Sequence, residues 1–311
     1  MIHIFYHNRD YTNYILKGIS NNLECKLIPI SVDNRFKAFC KALDFKLKTS
    51  FFVFLKHNQE INQCLKSIKP DDIVILFDIF NPNEVHYFTS HLPFNQIKIW
   101  LWNTVDKVSG RMISLFKNLP NISIHTFDKS DAATYNLTLH NQIYHQNTKP
   151  IIYSKNKFDF FFIGADKGRS YDLERLSEQL NEIGYSTKFI VINRKLDPTD
   201  YPHLEIHSSS IPYENVIKLI NESSVIVDYT KNGQSGITLR VLESIFFGKK
   251  ILTNNRSITD INIPPENILL IRGSALAKNI IDNFMAHKTE QYSEDIKKDF
   301  SVDHWLKEII R

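Results

Sequence analysis

Short apolar runs, rich in β-branched and aromatic residues, recur along the whole chain, and each is followed by a longer amphipathic stretch. The run Ile73-Val74-Ile75-Leu76-Phe77 is the sharpest case. It has no polar face, so as a strand it must be buried on both sides. Strands of that kind belong to parallel sheets, whose crossover connections lay helices over the faces. The class is therefore α/β. In the first half the pattern predicts strands at Ile2–Tyr6, Cys25–Ile30, Phe51–Leu55, Ile73–Phe77, Ile97–Trp102 and Ile122–Phe127, with helices such as Asp10–Ser20 and Asn58–Ile68 between them.

A polar stretch over 142–157, containing Lys149-Pro150, interrupts this rhythm, which restarts at Phe158-Asp159-Phe160-Phe161-Phe162-Ile163-Gly164. A second series follows: helix Asp172–Ile183, strand Lys188–Ile192, short strand Leu204–Ile206, helix Tyr213–Asn221, strand Val225–Val227, helix Ile237–Phe247, strand Lys250–Thr253 and strand Asn267–Ile271. Two α/β lobes are expected, residues 1–150 and 151–290. The tail Tyr292–Arg311 is read as one helix packing back on them through Phe300, Trp305, Ile309 and Ile310. A length of 311 residues suits two domains, and 42% hydrophobic residues supply both cores.

The net charge of +4 is too mild for a nucleic-acid binder but suits an anionic small ligand or an anionic membrane surface. Cys25, Cys40 and Cys64 lack the spacing of a disulfide framework or zinc site. With no signal-peptide pattern at the N-terminus and no apolar run long enough to span a bilayer, a cytoplasmic protein is expected. Around Arg35–Lys48, Phe36, Phe39, Leu43 and Leu47 share one helical face and lysines lie elsewhere. Such a helix either rests on the inner face of the cytoplasmic membrane or packs on its lobe with solvated lysines.

In an open parallel sheet, ligands bind beyond the carboxyl ends of the strands. Only 9 residues are Gly, so those falling between a strand and a helix carry weight. Gly164-Ala165-Asp166-Lys167-Gly168-Arg169 is one such place: a helix N-terminus with Lys167 and Arg169 can hold a phosphate, although a plain basic turn gives the same string. Asp228-Tyr-Thr-Lys-Asn-Gly233-Gln-Ser235-Gly236-Ile-Thr238-Leu-Arg240-Val-Leu-Glu243 is the other. Here a strand ends, a Gly-containing loop follows, and Ser235 or Thr238 can cap a helix whose first N–H groups suit a diphosphate. Thr238 and Arg240 then lie near the mouth. Glu243 can accept hydrogen bonds from two sugar hydroxyls, or it forms an exposed i,i+3 ion pair with Arg240.

The stretch Asp228–Asn255, with Gly236-Ile-Thr-Leu-Arg240-Val-Leu-Glu243 and Gly248-Lys249-Lys250, resembles the donor-binding region of two-lobed GT-B glycosyltransferases that assemble bacterial lipopolysaccharide and capsule. The resemblance implies two Rossmann-like lobes facing a cleft, an N-terminal lobe for the acceptor and a C-terminal lobe for a nucleotide-sugar. It places Gly236, Thr238, Arg240 and Glu243 on the donor, with Lys167 and Arg169 matching a phosphate loop by location. The Asp-x-Asp pair of metal-dependent glycosyltransferases is missing from the chain. Cationic side chains and helix termini would then neutralise the leaving group, and no metal or other cofactor is expected. Length and Asn/Ile/Lys-rich composition also resemble the lipopolysaccharide-core rhamnosyltransferases of enterobacteria, which implies L-rhamnose from dTDP-rhamnose and an acceptor in the Kdo region.

An inverting transferase needs a base for the acceptor hydroxyl. Asp78, closing the most apolar strand, is the first candidate, and Asp10 and His7, in the loop after the first strand, come next; each residue also has an ordinary capping or packing role open to it. Trp100, Trp102 and Asn103 can offer a sugar aromatic surface and an amide, or the tryptophans are core. A Rossmann oxidoreductase or epimerase would carry G-x-G-x-x-G after its first strand, and that string does not occur; the Tyr-x-x-x-Lys spacing of Tyr153 and Lys157 falls in the polar stretch between the two series. A non-catalytic sugar-binding protein would keep the same residues.

Overall fold

A computed structural model describes residues 1–30, 58–105, 107–117, 119–151, 156–230, 235–271 and 276–311. The expected strand Phe51–Leu55, the basic amphipathic stretch Arg35–Lys48 and Cys40 lie outside these residues, as does the part of the second Gly loop from Lys231 to Gln234. The described chain falls into two compact units, Met1–His140 with Leu306–Arg311, and Asn141–Trp305.

Unit 1 contains β1 (Ile2–His7), α1 (Asp10–Leu16), β2 (Cys25–Ile30), α2 (Asn58–Ser67), β3 (Ile73–Phe77), α3 (Pro82–His91), β4 (Gln96–Leu101), α4 (Lys107–Phe116), β5 (Ile122–Thr126), α5 (Lys129–Tyr135) and β6 (Thr138–Leu139). The six strands are parallel, in the order β2-β1-β3-β4-β5-β6. β3 is buried on both faces as its composition requires: Val74 and Leu76 belong to one core with Phe5, Ile97, Ile99, Val85 and Phe88, while Ile75 on the opposite face is equally inaccessible. Each such side chain contributes about 1.5–3 kcal/mol by leaving water.

Unit 2 contains β7 (Phe158–Ala165), α6 (Ser170–Glu182), β8 (Thr187–Ile192), β9 (Glu205–His207), α7 (Tyr213–Asn221), β10 (Ser223–Asp228), α8 (Leu239–Phe247), β11 (Lys250–Thr253), β12 (Ile268–Leu270), α9 (Lys278–Ala286), α10 (Glu294–Asp299) and the first half of α11 (Val302–Ile309). Its six parallel strands run β12-β11-β10-β7-β8-β9. The phenylalanine run divides between the faces: Phe160 and Phe162 pack with Leu173, Leu176, Phe189 and Phe284, and Phe161 is buried on the other side.

The tail is two helices rather than one. Ser293 caps α10 by accepting the Ile296 N–H at 3.3 Å. At Phe300-Ser301 the backbone pairs with Tyr144 instead of continuing: Tyr144 N–H donates to Phe300 C=O at 2.8 Å and Val302 N–H to Tyr144 C=O at 2.9 Å. Ser301 then accepts the His304 N–H at 3.1 Å and starts α11.

Both sheets reverse direction beside their first strand. In unit 1 the chain moves outward from β1 to β2 and returns to add β3 on the other side; in unit 2 it goes β7, β8, β9 and returns to add β10. These are topological switch points, where the loops after the two central strands part and leave a crevice at their carboxyl ends. The flanking segments are residues 8–9 and 78–81 in unit 1, and residues 166–169, 229–230 and 235–238 in unit 2.

Candidate functional site

At the switch point of unit 2, β10 ends in Asp228, which is 1% exposed. Its two oxygens accept from Thr238 Oγ1 and Thr253 Oγ1, each at 2.8 Å. One carboxylate thus ties the end of β10 to the end of β11 and to the start of α8. Burial raises the Asp228 pKa, while the hydrogen bonds from Thr253 and Thr238 and the charges of Arg169 and Arg240 pull it the other way. Of the two capping candidates, Thr238 is the N-cap of α8, its Oγ1 accepting the Val241 N–H at 3.4 Å. The helix begins at Leu239, not Ile237. Gly236 is buried, and its carbonyl accepts from Asn255 Nδ2 at 3.0 Å; Ser235 is half-buried beside it.

The Lys167–Arg169 loop differs from expectation. The helix after β7 starts at Ser170, two residues early, because Asp166 caps it: its Oδ1 accepts the N–H groups of Arg169 at 3.2 Å and Ser170 at 2.9 Å. Asn193 Nδ2 donates to the other oxygen at 3.0 Å. Burial would raise the Asp166 pKa, but these bonds outweigh it and hold it below the usual carboxylate range. The backbone N–H groups of Arg169 and Ser170 are therefore taken by a carboxylate. Lys167 and Gly168 form the tight turn at φ +51° and +78°, which leaves Lys167 exposed at its tip.

Arg169 turns inward. Its guanidinium donates to the carbonyls of Tyr229 and Ala165 (3.0 Å for the latter) and lies 5.0 Å over the Phe162 ring, so it bridges the ends of β10 and β7. Gly164 makes room for it: a Cβ there would stand 2.7 Å from Arg169 Nη2. Burial lowers the Arg169 pKa; Asp228 opposes this and Arg240 adds to it. Arg169 and Arg240 therefore repel each other at this crevice, and both are attracted by Asp228.

Arg240 and Glu243 do form an i,i+3 ion pair, but a buried one rather than the exposed pair expected: Glu243 is 0% exposed. Its Oε1 accepts from Tyr213 OH at 2.8 Å, and Tyr213 OH shares a 2.7 Å hydrogen bond with Tyr144 OH. Its Oε2 lies 2.7 Å from Arg240 Nη1, an ion pair in contact but misaligned for a hydrogen bond, so both atoms lack a hydrogen-bond partner. Burial pushes the Glu243 carboxyl up to about 7 against the opposing effects of Arg240 and Tyr213. Arg240, 14% exposed, is the end of this buried chain that reaches the surface.

At the switch point of unit 1, Asp78 leaves β3 with φ +54° and donates its N–H to Trp100 C=O at 2.9 Å. A non-glycine residue in that conformation marks a constrained position. Its carboxylate, 19% exposed, accepts from Arg9 Nη1 at 3.0 Å and from the Trp102 N–H and Asn103 side chain. Burial raises the Asp78 pKa, offset in part by Arg9 and these bonds. Arg9 Nη1 also donates to Tyr11 OH at 3.0 Å, and Tyr11 stacks on Trp102 with centroids 5.7 Å apart. Asp10 is exposed in the first turn of α1, and His7 Nε2 lies 3.6 Å from Glu84 Oε2. Neither has a contact to Asp78 among the described hydrogen bonds. Trp100 is core at 0% exposure.

Sequence reasoning missed Asp228 as the crevice's central carboxylate and Arg9 as the partner of Asp78. The signal available was position: both flank a switch point, which only the strand order reveals. Among the described residues no group of three or more His, Cys, Asp or Glu side chains stands together to hold a metal, and no helix is long and apolar enough to cross a membrane.

No family model and no curated protein matches the sequence. Solved structures do match. The N-terminal domain of a trehalose-6-phosphate phosphatase from Candida albicans aligns with a TM-score of 0.61 at 10% identity, covering 99% of this chain and 96% of that one. A trehalose-6-phosphate structure from E. coli bound with UDP-2-fluoro glucose aligns at 0.57 and 10% identity over 100% and 98% of the two chains. AviGT4, a glycosyltransferase involved in avilamycin A biosynthesis, aligns at 0.56 and 8% identity over 100% and 97%. At such identities the likeness is one of fold: this chain, with its two parallel six-stranded sheets and covering helices, has the α/β GT-B fold.

Proposed function

We propose that the protein is a glycosyltransferase in which residues 151–290 hold a nucleotide-sugar by its diphosphate and residues 1–150 present an acceptor hydroxyl. The observation that carries this reading is the pair of guanidiniums at the unit 2 switch point, Arg169 held by the Tyr229 and Ala165 carbonyls and Arg240 paired with the buried Glu243. Two cations that repel in the free protein are relieved by an anion placed between them, and a diphosphate supplies two phosphates for the two arginines. The fold similarity adds two pointers: one similar structure is bound with UDP-2-fluoro glucose and another is a glycosyltransferase.

The reaction follows as one displacement with inversion. Asp78 accepts the proton of the acceptor hydroxyl, the oxygen forms its bond to the anomeric carbon, and the bond from that carbon to the diphosphate breaks. The raised pKa of Asp78 makes it a better proton acceptor than an ordinary carboxylate. Arg169 and Arg240, with Lys167 at the rim, meet the charge that grows on the leaving diphosphate, so no step depends on a metal. Glu243 acts through Arg240, and Thr238 through Asp228.

For the finer assignment, L-rhamnose from dTDP-rhamnose onto the Kdo region of the lipopolysaccharide inner core, support comes from the chain's length and Asn/Ile/Lys-rich composition alone. Such an acceptor would bring the protein to the inner face of the cytoplasmic membrane. Incubating purified protein with truncated core lipopolysaccharide and a panel of nucleotide-sugars, then weighing the product, tests both levels. A mass gain of one deoxyhexose, only with dTDP-rhamnose, is the expected result. Gain from another donor, or on an O-antigen or capsule acceptor, keeps the enzyme and replaces the substrates. Nucleotide binding without transfer to any acceptor leaves a sugar-binding protein and removes the enzyme reading.

A further inference from the structure

At the opposite end of β10 and β11 from Asp228, a cavity of about 380 Å³ opens on unit 2. The Gly248-Lys249-Lys250 string lines it, together with His287, Lys288 and the hydroxyl-bearing Ser224. Among the described residues, three lysines and a histidine contribute to the lining and no acidic residue does.

The two adjacent lysines are held in place by backbone. Lys249 Nζ donates to the carbonyls of Asn221 (2.9 Å), the last residue of α7, and Ser223 (2.6 Å), the first of β10. Lys250 Nζ donates to the carbonyls of Phe284 and His287, at the end of α9. Those contacts satisfy helix carbonyls that would otherwise be left over. Carbonyl oxygens carry only partial charge, and among the described residues none of the three lysines has a carboxylate partner. Each ammonium keeps one proton beyond its two carbonyl bonds. Lys288 is exposed at the mouth, and Ser224 Oγ, accepting from Asn156 Nδ2 at 2.9 Å, has its own proton to give. Burial also lowers the Lys249 pKa to about 8, the strain of a cation short of counter-charge.

We propose that this cavity is a second anion site, taking the phosphate of a phosphate ester. Its volume is that of a small-ligand pocket, and its apolar members, Phe247 and Met285, suit the organic part of an ester better than a bare ion. The site is separate from the Arg169–Arg240 crevice, because neither arginine lines it.

Met285 lines the cavity and is one of only 3 methionines, so methyl-labelled methionine reports on the site directly. Titrating the full chain with inorganic phosphate moves the Met285 methyl resonance saturably, and sodium chloride at equal ionic strength does not. Arg240→Ala leaves that response intact. Lys288→Glu, at an exposed position with no folding duty, weakens phosphate binding there roughly tenfold or more; Lys249→Met, if it folds, does the same. A Met285 resonance that stays still, that moves equally with chloride, or that responds identically in Lys288→Glu overturns the proposal. Sedimentation with phosphatidylglycerol and phosphatidylcholine vesicles separates the sources. Pelleting with the anionic vesicles alone, lost in Lys288→Glu, assigns a lipid headgroup; a phosphate response without pelleting assigns a soluble ester.

Discussion

Single residues carry the sharpest consequences. Glu243 titrates near 7 in the folded protein and at 4.5 in a free chain, so the folded state binds the extra proton between those values. Its contribution to stability is therefore fully present below pH 4.5 and is lost as pH rises to about 7, a change of about 3 kcal/mol. Glu243→Gln has no proton to lose. Denaturant unfolding of both proteins should show the variant gaining on wild type across that window, and a difference that is flat with pH would remove the buried-carboxylate account. For Asp78, substitution by Asn keeps the left-handed backbone and the shape. Turnover should fall roughly a hundred- to ten-thousandfold with the fold intact. In wild type, activity should drop on the acid side at a pH above the ordinary carboxylate range, because a raised pKa leaves the base protonated there. The sequence located these residues without revealing their state. An i,i+3 spacing of Arg240 and Glu243 is the same whether the pair is wet or dry; burial is decided by Tyr213 and Tyr144, 30 residues and more upstream.

At the scale of elements, glycine does two different jobs. Gly248 ends α8 at φ +62°, and a Cβ there would meet nothing within 4 Å. Gly248→Ala should therefore cost only backbone strain, roughly 1–2 kcal/mol of stability, and leave nucleotide binding alone. Gly164 has ordinary strand geometry but touches Arg169. Gly164→Ala should push the guanidinium off the Tyr229 and Ala165 carbonyls and weaken nucleoside diphosphate binding about tenfold, with a smaller effect on unfolding. Calorimetric binding and chemical denaturation of the two variants distinguish the roles. Strands were legible because parallel burial demands unbroken apolar runs, and strand ends differed from expectation by a residue or two. Helix starts were harder to read. α6 begins where Asp166 folds back on it, and the tail breaks where Tyr144 captures its backbone; both depend on contacts that local pattern does not contain.

For the whole molecule, the decisive fact is strand order. Alternating β and α segments announce two parallel sheets, but they do not say on which side of the first strand the chain returns. That choice creates a crevice between β1 and β3 beside Arg9 and Asp78, and another between β7 and β10 beside Arg169 and Asp228. At the second we propose that a pair of arginines receives a diphosphate. Titration calorimetry of the purified chain with UDP, dTDP and their sugar conjugates addresses it most directly. Wild type should bind at least one of them saturably, and Arg240→Ala should weaken that binding tenfold or more while unfolding at a similar denaturant concentration. Equal affinity in the two proteins, or no binding of any nucleotide to wild type, would contradict it.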